Sequence, residues 1–170
     1  IDLVRKNGDT IDLEKLSKAL GCVCMEISAL KGEGGMEVAE KAVELIFGNL
    51  ENAYNDGKNI EARNNMLIGS FHAGVAFTRA YVGYVHAIAH NLGGMYGIPH
   101  GLANAVILPY VLDYYGESAY KRLAELADVA GLETAGMNEA QKAQLFIAKI
   151  KELNKLLNIP EHLEVQEKDS

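Results

Sequence analysis

With 170 residues, 49% hydrophobic and 23% charged, the chain is long enough for one domain of ordinary size and reads as soluble and globular. A formal net charge of −7 argues against a nucleic-acid partner, and no apolar run approaches the roughly 18 residues of a membrane span. Alanine, leucine and glutamate are plentiful and Trp is absent, which favours helix.

The chain opens Ile1-Asp2-Leu3 without a basic, apolar leader and without Met, so no signal peptide is expected and a processed or partial chain is indicated. Lys6-Asn7-Gly8-Asp9 is a turn signal. Asp12 can cap a short helix with the stripe Leu13, Leu16, Leu20, which Gly21 would stop. Cys22-Val23-Cys24-Met25-Glu26-Ile27 is predicted as a buried strand, and residues 28–35 as a loop. Cys22 and Cys24 are the only cysteines. Thiols this close seldom pair, so they read as reduced cysteines of a cytoplasmic protein, with a metal role as the alternative.

From Met36 the pattern turns helical. A first long helix is expected over 36–54, burying Val38, Ala42, Leu45, Ile46 and Leu50, and ending at Asn55-Asp56-Gly57. A second is expected over 60–77. Its small residues Gly69, Ser70, Ala73, Gly74 and Ala76 suit close approach by another helix. A third covers 81–92, after which Gly93, Gly94 and Gly97 read as a flexible link. Pro99 suits a first turn and opens a helix over 100–115. Two more follow over 118–130 and 138–157, the last with Ala143, Phe146, Ile147, Ile150, Leu153 and Leu157 on its apolar side. The tail 161–170 should fray. The core should include Leu45, Ile46, Met66, Leu67, Ala73, Val106, Leu123, Leu126 and Ile147.

Four of the five histidines lie between positions 72 and 100. His86 and His90, four apart, share a helix face with Cβ atoms about 6 Å apart. His100 follows at a helix start, where the dipole favours neutral imidazole, the form that binds metal. Imidazole suits iron and zinc alike. Spacing alone leaves the alternative of ordinary histidines open. His72, in an apolar stretch, reads as packed and satisfied, and His162 as an exposed tail residue.

The words around these histidines are specific. Gly83-Tyr84-Val85-His86-Ala87-Ile88-Ala89-His90-Asn91-Leu92-Gly93-Gly94 and Gly97-Ile98-Pro99-His100-Gly101-Leu102-Ala103-Asn104-Ala105 closely resemble the iron-containing alcohol dehydrogenase family. The likeness extends from about Ala42 to about Leu163, through Ala62-Arg63-Asn64-Asn65-Met66-Leu67, Ala73-Gly74-Val75-Ala76-Phe77 and Ala119-Tyr120-Lys121-Arg122-Leu123-Ala124. The resemblance implies a mainly α, multi-helix bundle like the dehydroquinate synthase-like α-domain of these enzymes, over residues 41–170. It implies that His86 and His100 are two of four protein ligands to Fe(II) or Zn(II), and that His90 assists proton movement near the nicotinamide of NAD(P). The complete enzyme would act on a small alcohol or aldehyde and would be a homo-oligomer.

Parts of that pattern are missing. The family's other two ligands are an Asp and a His four apart, and no Asp-x-x-x-His occurs here. Glu37, Glu40, Cys22 and Cys24 have no spacing that replaces them. Nor is there a glycine-rich dinucleotide turn in a βαβ unit; Gly32-Glu33-Gly34-Gly35 imitates it only weakly. A weak metal site, with NAD(P) chemistry only if a cofactor domain is supplied, is therefore expected.

Residues 1–40 resemble something else: the end of the GTPase domain of bacterial ferrous-iron transport protein B, a short α/β remnant of helix, strand and loop. Asp2 would match the last residue of the Asn-x-x-Asp guanine-reading motif, and Ser28-Ala29-Leu30 the final guanine-contacting loop. No phosphate-binding Gly-x-x-x-x-Gly-Lys-Ser/Thr loop is present, so guanine-nucleotide binding is the least favoured expectation. A fusion or chimera and a non-catalytic, self-associating helical remnant are the alternatives to a dehydrogenase domain.

Overall fold

The computed structural model describes residues 6–20, 34–80 and 82–164, and all regular structure among them is helical. In chain order the helices are α1 (Leu13–Leu20), α2 (Gly35–Asn55), α3 (Ile60–Ala80), α4 (Gly83–Tyr96), α5 (His100–Tyr115), α6 (Glu117–Val129) and α7 (Glu139–Leu156). The expected strand at 22–27, the loop at 28–33 and Asp2 lie outside the described residues. Asp12 caps α1 as its sequence suggests, its Oδ1 accepting the Lys15 amide at 3.0 Å.

Successive helices pair as hairpins. In the first, α2 and α3 run antiparallel. Asn65 Nδ2 donates to Asn49 Oδ1 at 3.0 Å, and Asn49 Nδ2 donates to the Leu45 carbonyl at 2.8 Å. One turn further along α3, Gly69 is buried against α2. A methyl group added there would lie 3.0 Å from Ile46 Cγ1 and 3.3 Å from Leu45 Cβ. Of the small residues of α3, Gly69 does what its spacing suggests, whereas Gly74 has no such neighbour and Ser70 is exposed.

The main core lies between α6 and α7. Leu123 and Ala127 face Ala143, Phe146, Ile147 and Ile150. Phe47 of α2 stacks on Phe146, ring centroids 5.1 Å apart, so the first hairpin is sealed to the last. Helix α7 starts with a complete capping box. Asn138 Oδ1 accepts the Gln141 amide at 3.0 Å, and Gln141 Oε1 accepts the Asn138 amide at 2.9 Å. Asp128 bridges back from α6, accepting from Lys142 Nζ at 2.7 Å and from the Thr134 hydroxyl.

Helix α5 contains Pro109, which has no N–H to give the carbonyl four residues earlier. That carbonyl, on Ala105, accepts instead from Asn154 Nδ2 of α7 at 2.7 Å. A side chain from another helix thus fills the gap in the α5 ladder. An ion pair, Lys151 Nζ to Asp113 Oδ2 at 2.7 Å, joins the same two helices.

Several expectations need correcting. Helix α4 runs on to Tyr96, so Gly93 and Gly94 are helical rather than a link. Gly97 alone makes the break, at φ 70°, its amide bonded to the Gly93 carbonyl. Two glycines weaken a helix but do not end it when its face is packed. Leu67 is 72% exposed. Of the other predicted core residues, Val106, Leu123 and Ile147 are buried; Leu45, Ile46, Met66, Ala73 and Leu126 are half-buried. Of the three core residues expected on α3, Leu67 alone is exposed. Gly69 and Ala62 take the inner positions, which places Ile60, Leu67 and Phe71 on the outside at 73%, 72% and 69% exposure.

Candidate metal centre

The α4–α5 hairpin carries the histidines. Ala89 and Ala103, both fully buried, let the two helices approach closely, and Ile107, Val111, Val85, Leu92 and Ile98 pack around them. The connection is Gly97-Ile98-Pro99, with the Pro99 carbonyl accepting the Ala103 amide at 3.0 Å. Its shortness fixes where α5 begins, and therefore where His100 stands relative to α4.

The three rings come together. Centroids are 5.9 Å apart for His86 and His90, 5.2 Å for His86 and His100, and 5.1 Å for His90 and His100. His86 is half-buried and lies 6.4 Å from the Phe77 ring; His90 and His100 are exposed. Two imidazoles on one tetrahedral ion, each with its nitrogen about 2.0–2.1 Å from the metal, would have ring centres roughly 5 Å apart. The spacing and the donor type therefore fit a first-row divalent ion. The set is nevertheless open. Among the described residues no three His, Cys, Asp or Glu side chains are arranged to close on a metal. Glu37 and Glu40 sit in the first turns of α2 and complete no such group; Cys22 and Cys24 lie outside the described residues.

Asn104 is the contact that spacing arguments missed. Four residues after His100, its Nδ2 lies 3.0 Å from His100 Nε2 and 2.9 Å from the His100 carbonyl oxygen. Its Oδ1 is buried without a partner. The signal available was its i+4 position within the motif that carries His100.

The remaining histidines divide. His162 is exposed, as expected. His72 packs 6.0 Å from the Phe71 ring, but its Nδ1 is buried without a hydrogen-bond partner. It is packed as its apolar surroundings suggest, yet not satisfied. A cavity of about 730 Å³ lies elsewhere, between α5, α7 and the segment after α7. Val106, Pro109, Tyr110, Lys155, Ile159 and Pro160 line it, and no histidine does. No helix among the described residues is long and apolar enough to cross a membrane.

The model of the Fe-containing alcohol dehydrogenase family, C-terminal, matches residues 36–169. The 1,3-propanediol dehydrogenase of Citrobacter freundii is 44% identical over 125 residues, 74% of this chain and 32% of that enzyme. Alcohol dehydrogenase 4 of Saccharomyces cerevisiae (strain YJM789) is 42% identical over 127 residues, again 74% and 32%. A crystal structure of 1,3-propanediol oxidoreductase superposes with a TM-score of 0.72 at 41% identity, covering 74% of this chain and 33% of that one. The chain thus spans about a third of the length of the curated relatives it matches. By its family match, its identity to these relatives and its all-helical fold, the chain belongs to the Fe-containing alcohol dehydrogenase family, of which it carries the C-terminal helical part.

Proposed function

We propose that the chain is the metal-binding helical domain of an NAD(P)-dependent alcohol dehydrogenase, incomplete and inactive by itself. His86 and His100 would hold Fe(II) or Zn(II), and His90 would pass a proton between the substrate side and solvent. The observation that carries this reading is the triangle of imidazoles on α4 and α5, with centroids 5.1–5.9 Å apart. A divalent ion at such a site supplies Lewis acidity toward an alcohol or aldehyde oxygen. The contribution of the chain is to fix two donors through a tight hairpin and to keep an exposed imidazole beside them. Binding should be weak, because two imidazoles are fewer than the three protein ligands of most catalytic sites. The chain fits a cytoplasmic, homo-oligomeric enzyme acting on small alcohols or aldehydes.

Calorimetry with Zn(II), or with Fe(II) under anaerobic conditions, tests the metal assignment. Weak saturable binding that His86→Ala and His100→Ala each abolish is expected; no binding at millimolar metal overturns it. NAD(P)H formation from a small primary alcohol by the chain alone would overturn its inactivity. A second reading, a self-associating helical protein without catalysis, is favoured by the exposed stripe Ile60, Leu67 and Phe71 on α3. Sedimentation as a monomer at high concentration would remove it. A guanine-nucleotide site at residues 1–40 rests on Asp2 and Ser28-Ala29-Leu30 alone. A fluorescent guanine-nucleotide titration without a saturable signal is the expected outcome.

A further inference from the structure

The contact between Asn104 and His100 has a polarity. An amide nitrogen only donates, so a nitrogen 3.0 Å from Asn104 Nδ2 must present its lone pair. The opposite orientation of the amide would place Oδ1 2.9 Å from the His100 carbonyl oxygen, two acceptors face to face. The carbonyl therefore fixes the amide, and the amide fixes the ring: Nε2 is bare and the proton of neutral His100 sits on Nδ1.

We infer that Asn104 is a positioning residue, which holds His100 as its Nδ1-protonated tautomer and keeps the Nε2 lone pair ready for a divalent ion. The inference rests on the metal reading above for its purpose, but not for its geometry. The amide N–H stands in for the cation. An arriving ion has to displace one neutral hydrogen bond at Nε2, and no proton leaves the ring. Without Asn104, the ring would be free to carry its proton on Nε2, and each binding event at that nitrogen would first need the proton moved. Asn104 is itself anchored by position: it lies one turn along α5 from His100, with its Oδ1 turned inward and buried.

The test reads the tautomer directly in the metal-free chain, by long-range ¹H–¹⁵N correlation of the histidine rings at about pH 8.5, roughly two units above the ordinary histidine pKa. In the unaltered chain, His100 should show a proton-bearing Nδ1 and a bare Nε2. Asn104→Asp keeps the size but offers only acceptors, and should move the proton to Nε2. Asn104→Leu should give a mixture. Neither variant should change the His86 and His90 ring patterns, which a general loss of structure would. An Nε2-protonated His100 in the unaltered chain overturns the inference, as does a tautomer that stays on Nδ1 in both variants. Added Zn(II) should shift Nε2 of His100 while the Nδ1 proton persists. A chain that binds no Zn(II) but shows the Nδ1 tautomer would refute the metal reading and leave the role of Asn104 on His100 intact.

Discussion

Replacing Asn154 with leucine removes the donor that completes α5 while keeping the side chain near its size. The Ala105 carbonyl then has neither the Pro109 amide, which does not exist, nor the Asn154 amide, now 2.7 Å away. An unsatisfied carbonyl in a partly buried setting costs about 1–3 kcal/mol. Asn154 is half-buried rather than fully enclosed, so water recovers part of this and about 1.5 kcal/mol is expected. For a chain of this length that corresponds to a fall of roughly 3–6 °C in Tm. A double-mutant cycle with Pro109→Ala isolates the cause, because alanine returns an amide donor to the Ala105 carbonyl. In that background Asn154→Leu should cost about 0.5 kcal/mol or less, a coupling of about 1 kcal/mol. Urea unfolding of the four proteins at constant m measures all the terms. Equal losses from Asn154→Leu with and without Pro109 would refute the idea that this side chain substitutes for the missing helix bond.

Gly69→Ala sets two effects against each other. Helix propensity favours alanine by about 1 kcal/mol, while crowding against Ile46 Cγ1 at 3.0 Å and Leu45 Cβ at 3.3 Å opposes it by about 1–3 kcal/mol. Net destabilisation of about 1 kcal/mol is expected, and a more stable variant by thermal melting would disprove the close approach of α2 and α3. Asn138→Ala breaks the α7 capping box and should cost about 1 kcal/mol in urea unfolding, whereas Asn138→Gly should cost only a few tenths. The Asp128 carboxyl is held below its ordinary value of 3.8, first by the hydrogen bond from Lys142 and then by that from Thr134. A lowered folded pKa contributes stability that is present above pH 3.8 and lost as pH falls through the folded value. Asp128→Asn should therefore flatten the acid limb of a stability–pH profile below about pH 4. It should leave the slope near neutrality unchanged.

Much of the fold is legible in the sequence because its signals are local. Helix α5 has the bounds expected for it, 100–115, with Pro99 before its start, and α2, α6 and α7 lie within a residue or so of theirs, since caps and breakers act on their own turn. The failures need knowledge of neighbours. Leu67 looks like core until Gly69 is seen to be what α2 rests on, with Ala62 buried on the same helix. Gly93 and Gly94 look like a link until the packing of α4 on α5 outweighs their weak propensity. At the site, the i, i+4 pair and the helix-start histidine could be read from spacing. That the three rings meet depends on the packing of α4 on α5 around buried Ala89 and Ala103, which no spacing reveals. Asn104 was visible within the His100 motif, but its direction of donation is set by the His100 carbonyl, a backbone feature without a sequence signature.

The short Gly97-Ile98-Pro99 connection has a consequence for how the site comes into being. Every ring of the triangle lies within fifteen residues of chain, from His86 to His100, and a single helical hairpin brings them together. A contact so local costs little loop-closure entropy to form. The constellation is thus a portable unit. Wherever α4 folds back on α5, the histidine spacing travels with it.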